Sequence, residues 1–491
     1  MALELAASRF LAPYYGTSMI VWANIIGLIL LSLSLGYWYG GRLADRRPDG
    51  TLLMKLSVWA GIITCLLPLW GKMIFPALSG GILGTPLLVI VCSFFAILIV
   101  FAPPVFLLAM VSPFAIRLVT AETKGEVGKI AGNLYAFSTM GSLIGTFGTA
   151  FITIPFLGAR ETIFLWSAAL IAISAWGLRQ THSRWWVAAI LLPIALYLLT
   201  RAPVASAEGS SVVWAKDTLY QYVRVIKSDD GTTALVYNEG GGVQSVHRPG
   251  DALSPDDYYD DYLLLPYFTD NPQHVLVLGS AGGTIPRLMA KYVKPTFPKF
   301  DITGVEIDPD VIDLDQRYFG LEPEDATIVN QDARVFVGNT QQKYDIVIVD
   351  AYSQQIYIPF HLATLEFFQS VRQKLTDDGL LALNVNAVSP DSKLLVAMEK
   401  TVQRAFPYSY VVKARGEYNY ILIGSQKPLK TEKLQQIEAG SPLEPIRREW
   451  PAELTPLTEG QVKGGLLLTD NRAPTEMLTD SMIFGAAKEQ R

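Results

Sequence analysis

Apolar residues fall into two regimes along this chain. Over the first 200 positions they come in long unbroken runs, and beyond that in short runs punctuated by glycine, aspartate and asparagine. Residues 19–40 carry no charge. At about 1.5 Å per residue a helix of that length crosses a bilayer core of about 30 Å. Further apolar runs lie at 52–75, 86–118, 130–156, 161–178 and 185–200, so residues 1–200 are expected to form a multi-pass α-helical membrane domain of about six to seven spans. Helices are the expected form, because in lipid every backbone group must be satisfied within the segment. The first run is too long and too far inside the chain for a cleaved leader and reads as a retained span.

Past residue 211 the period changes. Residues 219–226 alternate as a strand, Asp229-Asp230-Gly231 makes a turn and 232–237 pairs back; Asn238 to Gly242 turns again into 243–246. This predicts a small antiparallel sheet over 212–253, reached through a linker at 201–211 rich in Ala, Ser and Pro. Ser254-Pro255-Asp256-Asp257 then reads as the cap of a helix carrying Tyr258, Tyr259, Asp260, Asp261 and Tyr262.

From His274 the runs are continuously apolar, as strands buried on both faces are. Val275 to Leu278 empties into Gly279-Ser280-Ala281-Gly282-Gly283-Thr284. A second run ends in Val305-Glu306-Ile307-Asp308, a third acid lies in Asn330-Gln331-Asp332, and Tyr344 to Val349 delivers Asp350. A glycine turn followed by an acid after each successive strand predicts a Rossmann-like α/β domain over 254–426, since ligands of open α/β sheets bind at the carboxyl ends of the strands. Gly-x-Gly-x-x-Gly is absent, and the acid closes strand two as Val-Glu-Ile-Asp. That favours an S-adenosyl ligand over a dinucleotide.

Composition refines this picture. Only 17% of residues are charged and 50% are hydrophobic, in line with a membrane-embedded part. A net charge of -5 argues against a general nucleic-acid binder. Cys65 and Cys92 both fall in apolar runs, and four scattered histidines add no metal site. The basic residues Arg42, Arg46, Arg47 and Lys55 are consistent with a cytoplasmic loop; Gly40-Gly41-Arg42-Leu43-Ala44-Asp45-Arg46-Arg47 also resembles the loop after the second helix of major-facilitator transporters. That resemblance implies a helix before Met19, where the sequence offers only the short Leu3 to Arg9, and hence a truncated or late start. Read as one crossing, 86–118 would be about 50 Å long and would put the C-terminal half outside. Ala102-Pro103-Pro104 interrupts it, and two crossings put that half in the cytoplasm, where an S-adenosyl ligand is made. Bacterial inner membrane is the expected location. The glycine-rich 132–148 stretch predicts close helix packing.

The order of a Tyr-Gln-x-Val-x-Val strand, a glycine turn before Gln244, an acidic tyrosine helix, the glycine loop, Val-Glu-Ile-Asp and Asp350 resembles the spermidine synthase (polyamine aminopropyltransferase) family over about 211–425, and the whole resembles its membrane-fused bacterial members. The resemblance implies an aminopropyl transferase whose co-substrate is decarboxylated S-adenosylmethionine, with no tightly bound cofactor and a small amine such as putrescine as acceptor. It implies Asp350 as base; Glu306 on the ribose, Asp332 on the adenine side, and Gly279, Gly282, Gly283 and Gln221 as donor-binding residues; and Gln244, Tyr259, Asp261 and Tyr352 on the acceptor side. Three departures stand out: Ala281 replaces the loop aspartate, Tyr259-Asp260-Asp261 stands where Tyr-His-Glu is usual, and Asp350-Ala351-Tyr352-Ser353-Gln354 lacks a second acid. Asp470 and Glu476, in Thr469-Asp470-Asn471-Arg472-Ala473-Pro474-Thr475-Glu476, are expected to fold over the crevice from a 427–491 extension and replace the missing acids; the same residues also read as a helix cap ahead of Pro474. Methyl transfer from S-adenosylmethionine, and a transporter or sensor without chemistry, remain as alternatives. A lipid bilayer is the implied partner, no nucleic acid is, and a homodimer is left open.

Overall fold

The computed structural model describes residues 1–15, 19–79, 86–122, 127–179, 185–200, 209–238, 242–254, 256–353, 356–416 and 418–489. Most of the expected linker (201–208), the turn at 239–241, Pro255 and Gln354 lie outside the described residues. The chain divides into two compact units, Met1–Ala205 with Lys216–Gln221, and Ser206–Ala215 with Tyr222–Arg491.

The first unit is helical: α1 Ala2–Tyr15, α2 Met19–Arg46, α3 Gly50–Ser79, α4 Pro86–Val100, α5 Ala102–Ala109, α6 Val111–Glu122, α7 Val127–Gly148, α8 Ile154–Leu157, α9 Ala159–Gly177 and α10 Trp185–Thr200. Four helical stretches, Ile20–Arg46, Gly50–Leu78, Ala102–Ala121 and Val127–Leu157, are long and apolar enough to cross a membrane. A full helix, α1, precedes Met19, more than the short segment expected there. The 86–118 run is interrupted at Phe101, as Ala102-Pro103-Pro104 suggested, into α4 and the helical stretch Ala102–Ala121. That second stretch comprises α5 and α6, with Pro103 and Pro104 in the first turn of α5, where a missing N–H costs nothing. Close packing also moves from its predicted place. No side chain of α7 is buried, and Gly132 and Gly141 meet nothing within 4 Å among the described residues. One tight contact is between α2 and the C-terminal end of α5: a Cβ on Gly36 would stand 2.4 Å from Ala109 Cβ, and one on Gly40 2.7 Å from Cα of Met110, which caps α5. Spaced four apart, these two glycines share one helix face and let the backbones approach.

The second unit opens with a sheet of order β1-β2-β3-β4, where β1 is Ser210–Asp217, β2 Tyr222–Ser228, β3 Thr233–Tyr237 and β4 Gly242–His247. The β2–β3 and β3–β4 pairs are antiparallel. The expected helix follows at Tyr258–Phe268 as a 3₁₀ helix, with no side-chain cap at Asp257. Residues 259–268 are buried throughout, so no amphipathic face exists to favour a 3.6-residue repeat.

The large sheet is built from β5 His274–Leu278, α11 Thr284–Tyr292, β6 Asp301–Glu306, α12 Pro309–Tyr318, β7 Thr327–Asn330, α13 Ala333–Asn339, β8 Tyr344–Val349, α14 Leu365–Lys374, β9 Leu375–Asn386, α15 Lys393–Ala405, β10 Tyr408–Lys413, β11 Asn419–Ser425, α16 Glu444–Glu453, β12 Thr455–Pro456 and α17 Thr475–Glu489. Its strand order is β12-β10-β11-β9-β8-β5-β6-β7. Strands β5 to β9 run parallel, while β11 is antiparallel to both β9 and β10. One apolar core, including Phe367, Phe368, Leu395 and Met398, covers one face, and another, including Leu264, Met289 and Ile421, covers the other. The chain leaves β5 towards β6 and β7, then returns to build β8 and β9 on the opposite side. The sheet order therefore reverses between β5 and β8, which is where ligands of such sheets bind.

Candidate active site

The loop after β5 is shaped by its contacts with the protein. Gly279 has φ +84°, and a Cβ there would lie 2.5 Å from Ala351 Cα and 2.6 Å from the Asp350 carbonyl. Only glycine lets the β5 and β8 loops pass this closely. Gly282 donates its N–H to Ser245 Oγ at 2.8 Å and packs on Phe319, while Gly283 caps α11 in the left-handed region against Leu321. The close approaches assigned from sequence to a ligand are thus filled, at these three Cα positions, by the chain's own atoms. Ala281 has φ +43°, a conformation an L side chain rarely takes.

Glu306 ends β6, 6% exposed. Its Oε2 accepts from the Ala281 N–H and Oε1 from the Asp308 N–H, each at 3.0 Å. Burial pushes it up to about 7, although the two N–H donors favour the charged form. Asp308 caps α12 by accepting from Asp310 N at 3.0 Å. Two turns into that helix Asp315 is 1% exposed, and neither carboxylate oxygen has a hydrogen-bond partner among the described residues. Burial, with the nearby Glu306 charge adding, pushes it up to about 9. Asp332 caps α13 through Val335 N at 2.9 Å and stands 3.3 Å from His361 Nε2.

Asp350 leaves the end of β8 between two donors. Tyr258 Oη donates to Oδ2 and Asn384 Nδ2 to Oδ1, each at 3.0 Å. Burial pushes the carboxyl up to about 6, and the two hydrogen bonds pull it back. Tyrosines surround it: the Tyr258 ring lies 4.2 Å from Tyr259 and 6.2 Å, edge-on, from Tyr262. Tyr352 Oη donates to the Asn384 carbonyl at 2.9 Å and accepts from Asn386 N at 3.2 Å. Burial, with the Asp350 charge adding, raises the Tyr258 and Tyr352 phenols well above their usual range, so they remain donors.

The remaining sequence-assigned residues have other partners. Asp261 Oδ1 accepts from Trp450 Nε1 and Oδ2 from Arg415 N, both at 2.8 Å, with Arg415 Nε 3.9 Å away. Both oxygens thus hold the 3₁₀ segment to α16 and to the end of β10. Asp470 does not cap the last helix, which begins at Thr475. It clasps Arg334 at 2.8 and 2.5 Å and accepts from Thr364 Oγ1 at 2.7 Å. Glu476 sits in the first turn of α17, whose Asp480 accepts from Tyr357 Oη at 2.7 Å. Gln244 lies on β4, with Nε2 3.3 Å from the Gly242 carbonyl. Gln221 is buried in the turn before β2, in the segment that goes with the first unit, its N–H donated to Thr218 Oγ1 at 3.1 Å. Sequence reading passed over Tyr258 and Asn384 as partners of Asp350. The one available signal was two asparagines, 384 and 386, at the end of β9 after the apolar run Leu380–Leu383. Among the described residues no group of three or more His, Cys, Asp or Glu is placed to hold a metal.

A parallel sheet that reverses at β5 and β8, carries Glu306 and Asp350 at its strand ends and adds the antiparallel β11 defines a Rossmann-like α/β domain. Residues 260–427 match the spermine/spermidine synthase domain, so the C-terminal part of this chain carries a domain of that family. The probable polyamine aminopropyl transferase of Bifidobacterium longum is 35% identical over 198 residues, 40% of this chain and 43% of that protein; the chain thus spans less than half of that relative's length. The polyamine aminopropyltransferase of Vibrio vulnificus is 29% identical over 310 residues, 59% of this chain and 98% of that protein. The crystal structure of a probable spermidine synthase from Corynebacterium glutamicum aligns with a TM-score of 0.41 and 18% identity, over 55% of this chain and 97% of that one.

Proposed function

We propose that the chain is a membrane-bound aminopropyltransferase that moves an aminopropyl group from decarboxylated S-adenosylmethionine to putrescine or a similar amine. The observation that carries this reading is Asp350, set at the reversal point between two hydrogen-bond donors with its carboxyl at about 6. At neutral pH it is mostly ionised. It attracts a cationic amine, accepts one of its ammonium protons so that the nitrogen gains a lone pair, and orients that neutral amine in line with the carbon bound to the sulfonium, where the new C–N bond forms. The C–S bond breaks at the same time, and its electron pair leaves on sulfur as a neutral thioether that needs no acid. Glu306 holds the ribose hydroxyls, Asp332 the adenine side, and the tyrosines around Asp350 face the amine, whose cation is favoured on aromatic rings.

Methyl transfer is the second reading, favoured by Ala281, which offers no carboxylate to the aminopropyl ammonium of the donor. The four apolar helical stretches support membrane embedding, and Arg42, Arg46 and Arg47 support a cytoplasmic loop after α2. The test uses the full chain in detergent or lipid, comparing calorimetric binding of S-adenosylmethionine and its decarboxylated form, then following methylthioadenosine release on adding putrescine. Release with the decarboxylated donor, lost by about 10²-fold or more in Asp350→Asn with donor affinity kept, is the expected result. Preference for the carboxylated donor moves the reading to methyl transfer, and absence of binding to either donor by folded protein overturns both. Retention of the chain in the membrane pellet after alkaline carbonate washing is expected; release into the supernatant overturns the membrane part.

A further inference from the structure

Asparagines 384, 386 and 419 meet on one face of the sheet at the end where Asp350 emerges. Strand alternation places Asn384 and Asn386 together on β9, and the antiparallel register sets Asn419 of β11 opposite Asn386. Asn419 Nδ2 donates twice, to Asn384 Oδ1 at 3.1 Å and to Asn386 Oδ1 at 2.8 Å. Asn384 is 1% exposed, so its amide has no water to fall back on, and its Nδ2 lies 3.0 Å from Asp350 Oδ1.

An asparagine amide can be turned end for end with little change of shape, and its hydrogen-bond partners decide which way it sits. Turned round, Asn384 would present a carbonyl to the Asp350 carboxylate and an amino group to the Asn419 amino group. Two repulsions would replace two hydrogen bonds. Tyr352 Oη bonds only the backbone here, at the Asn384 main-chain carbonyl and the Asn386 N–H, so it fixes the strand end and leaves the orientation of the Asn384 amide to Asn419 and Asp350.

We propose that Asn419 is a positioning residue that locks the Asn384 amide as a donor to Asp350 and thereby sets the protonation of the group that accepts the amine proton. The proposal rests on the reading of Asp350 as base. Its physical content is that a donor to the ionised carboxylate opposes the effect of burial, so loss of the lock moves Asp350 towards the neutral, inactive form.

Replacement of Asn419 by alanine frees the amide, and Asn419→Asp reverses it, because a carboxylate opposite Asn384 draws the amino end away from Asp350. Both changes are expected to move the acid limb of the pH profile of kcat/KM to higher pH, by roughly half a unit for alanine and about one unit or more for aspartate. Donor KM should stay within about twofold. Asn419→Ser keeps a hydroxyl donor at smaller volume and is expected to fall between wild type and alanine; it serves where the other two fail to fold. Carboxyl-¹³C aspartate resonances, with Asp350 assigned by its loss in Asp350→Asn, read the same shift without any turnover. An unmoved acid limb and an unmoved Asp350 resonance in folded Asn419 variants overturn the proposal. Undiminished turnover by Asp350→Asn overturns instead the reading of Asp350 as base.

Discussion

Tyr258 Oη donates to Asp350 Oδ2 across 3.0 Å, joining residues 92 positions apart, and so places a phenol on one oxygen of the candidate base while Asn384 holds the other. Both bonds favour the ionised carboxylate against the burial that raises its pKa. Tyr258→Phe should therefore lift Asp350 above about 6. Turnover at pH 6 is expected to drop roughly three- to tenfold, converging on wild type above pH 8. A uniform loss at every pH in the rate profile would mean that the hydroxyl acts on substrate rather than through Asp350.

Asp315 makes stability depend on pH. Its folded-state pKa is raised, to about 9, so its contribution is fully present below the unfolded value near 3.8 and is lost as pH rises through the folded one. Asp315→Ala removes the buried carboxyl. It should be neutral or slightly destabilising at pH 4 and stabilise the domain by about 2 kcal/mol or more at pH 8. Denaturant melts at the two pH values measure this, and an equal effect at both would be inconsistent with a titrating Asp315.

Ala281 occupies a backbone conformation that aspartate tolerates better than alanine. Ala281→Asp should leave the melting temperature unchanged or slightly higher, while a carboxylate beside the glycine loop should strengthen binding of the decarboxylated donor over S-adenosylmethionine by about tenfold. Competitive binding of the two donors to wild type and variant decides the point. An unchanged preference would place position 281 out of reach of the aminopropyl group.

Asp470 is engaged with Arg334 and Thr364. Its partner Arg334 is 30% exposed and Asp470 42%, so solvent screens the pair. Asp470→Asn is expected to cost no more than about 1 kcal/mol and to leave KM for the amine within about twofold. A KM rise above about tenfold would return Asp470 to the acceptor side.

Much of the framework was legible from local pattern. Residues 275–278 and 344–349 read as strands because they are uninterrupted apolar runs closed by Gly279 and Asp350, and they are β5 and β8. Glu306 was found because it ends β6 directly. Strand β1 was missed because Ser210 to Asp217 alternates weakly at the edge of a stretch that reads as linker. The partners of two site residues were hidden for one reason. Asp261 and Asp470 were assigned to the acceptor as acids needing a cation, but the residues that engage them, Arg415, Trp450 and Arg334, lie 154, 189 and 136 positions away. The Asn384–Asn419 contact likewise depends on an antiparallel register that neither strand states alone.

The 3₁₀ segment over 258–268 has a consequence for order at the site. Eleven residues in this tighter helix exceed what its poorer hydrogen bonding sustains unaided. Its shape comes from outside: from Trp450 and Arg415 on Asp261, and from the core around Leu263, Leu264 and Leu265. With three residues per turn, adding or removing one residue would rotate every later side chain by about a third of a turn. Length in this segment is therefore as strict a requirement as residue identity, and the first sign of a loosening core would be disorder in the tyrosines that flank Asp350.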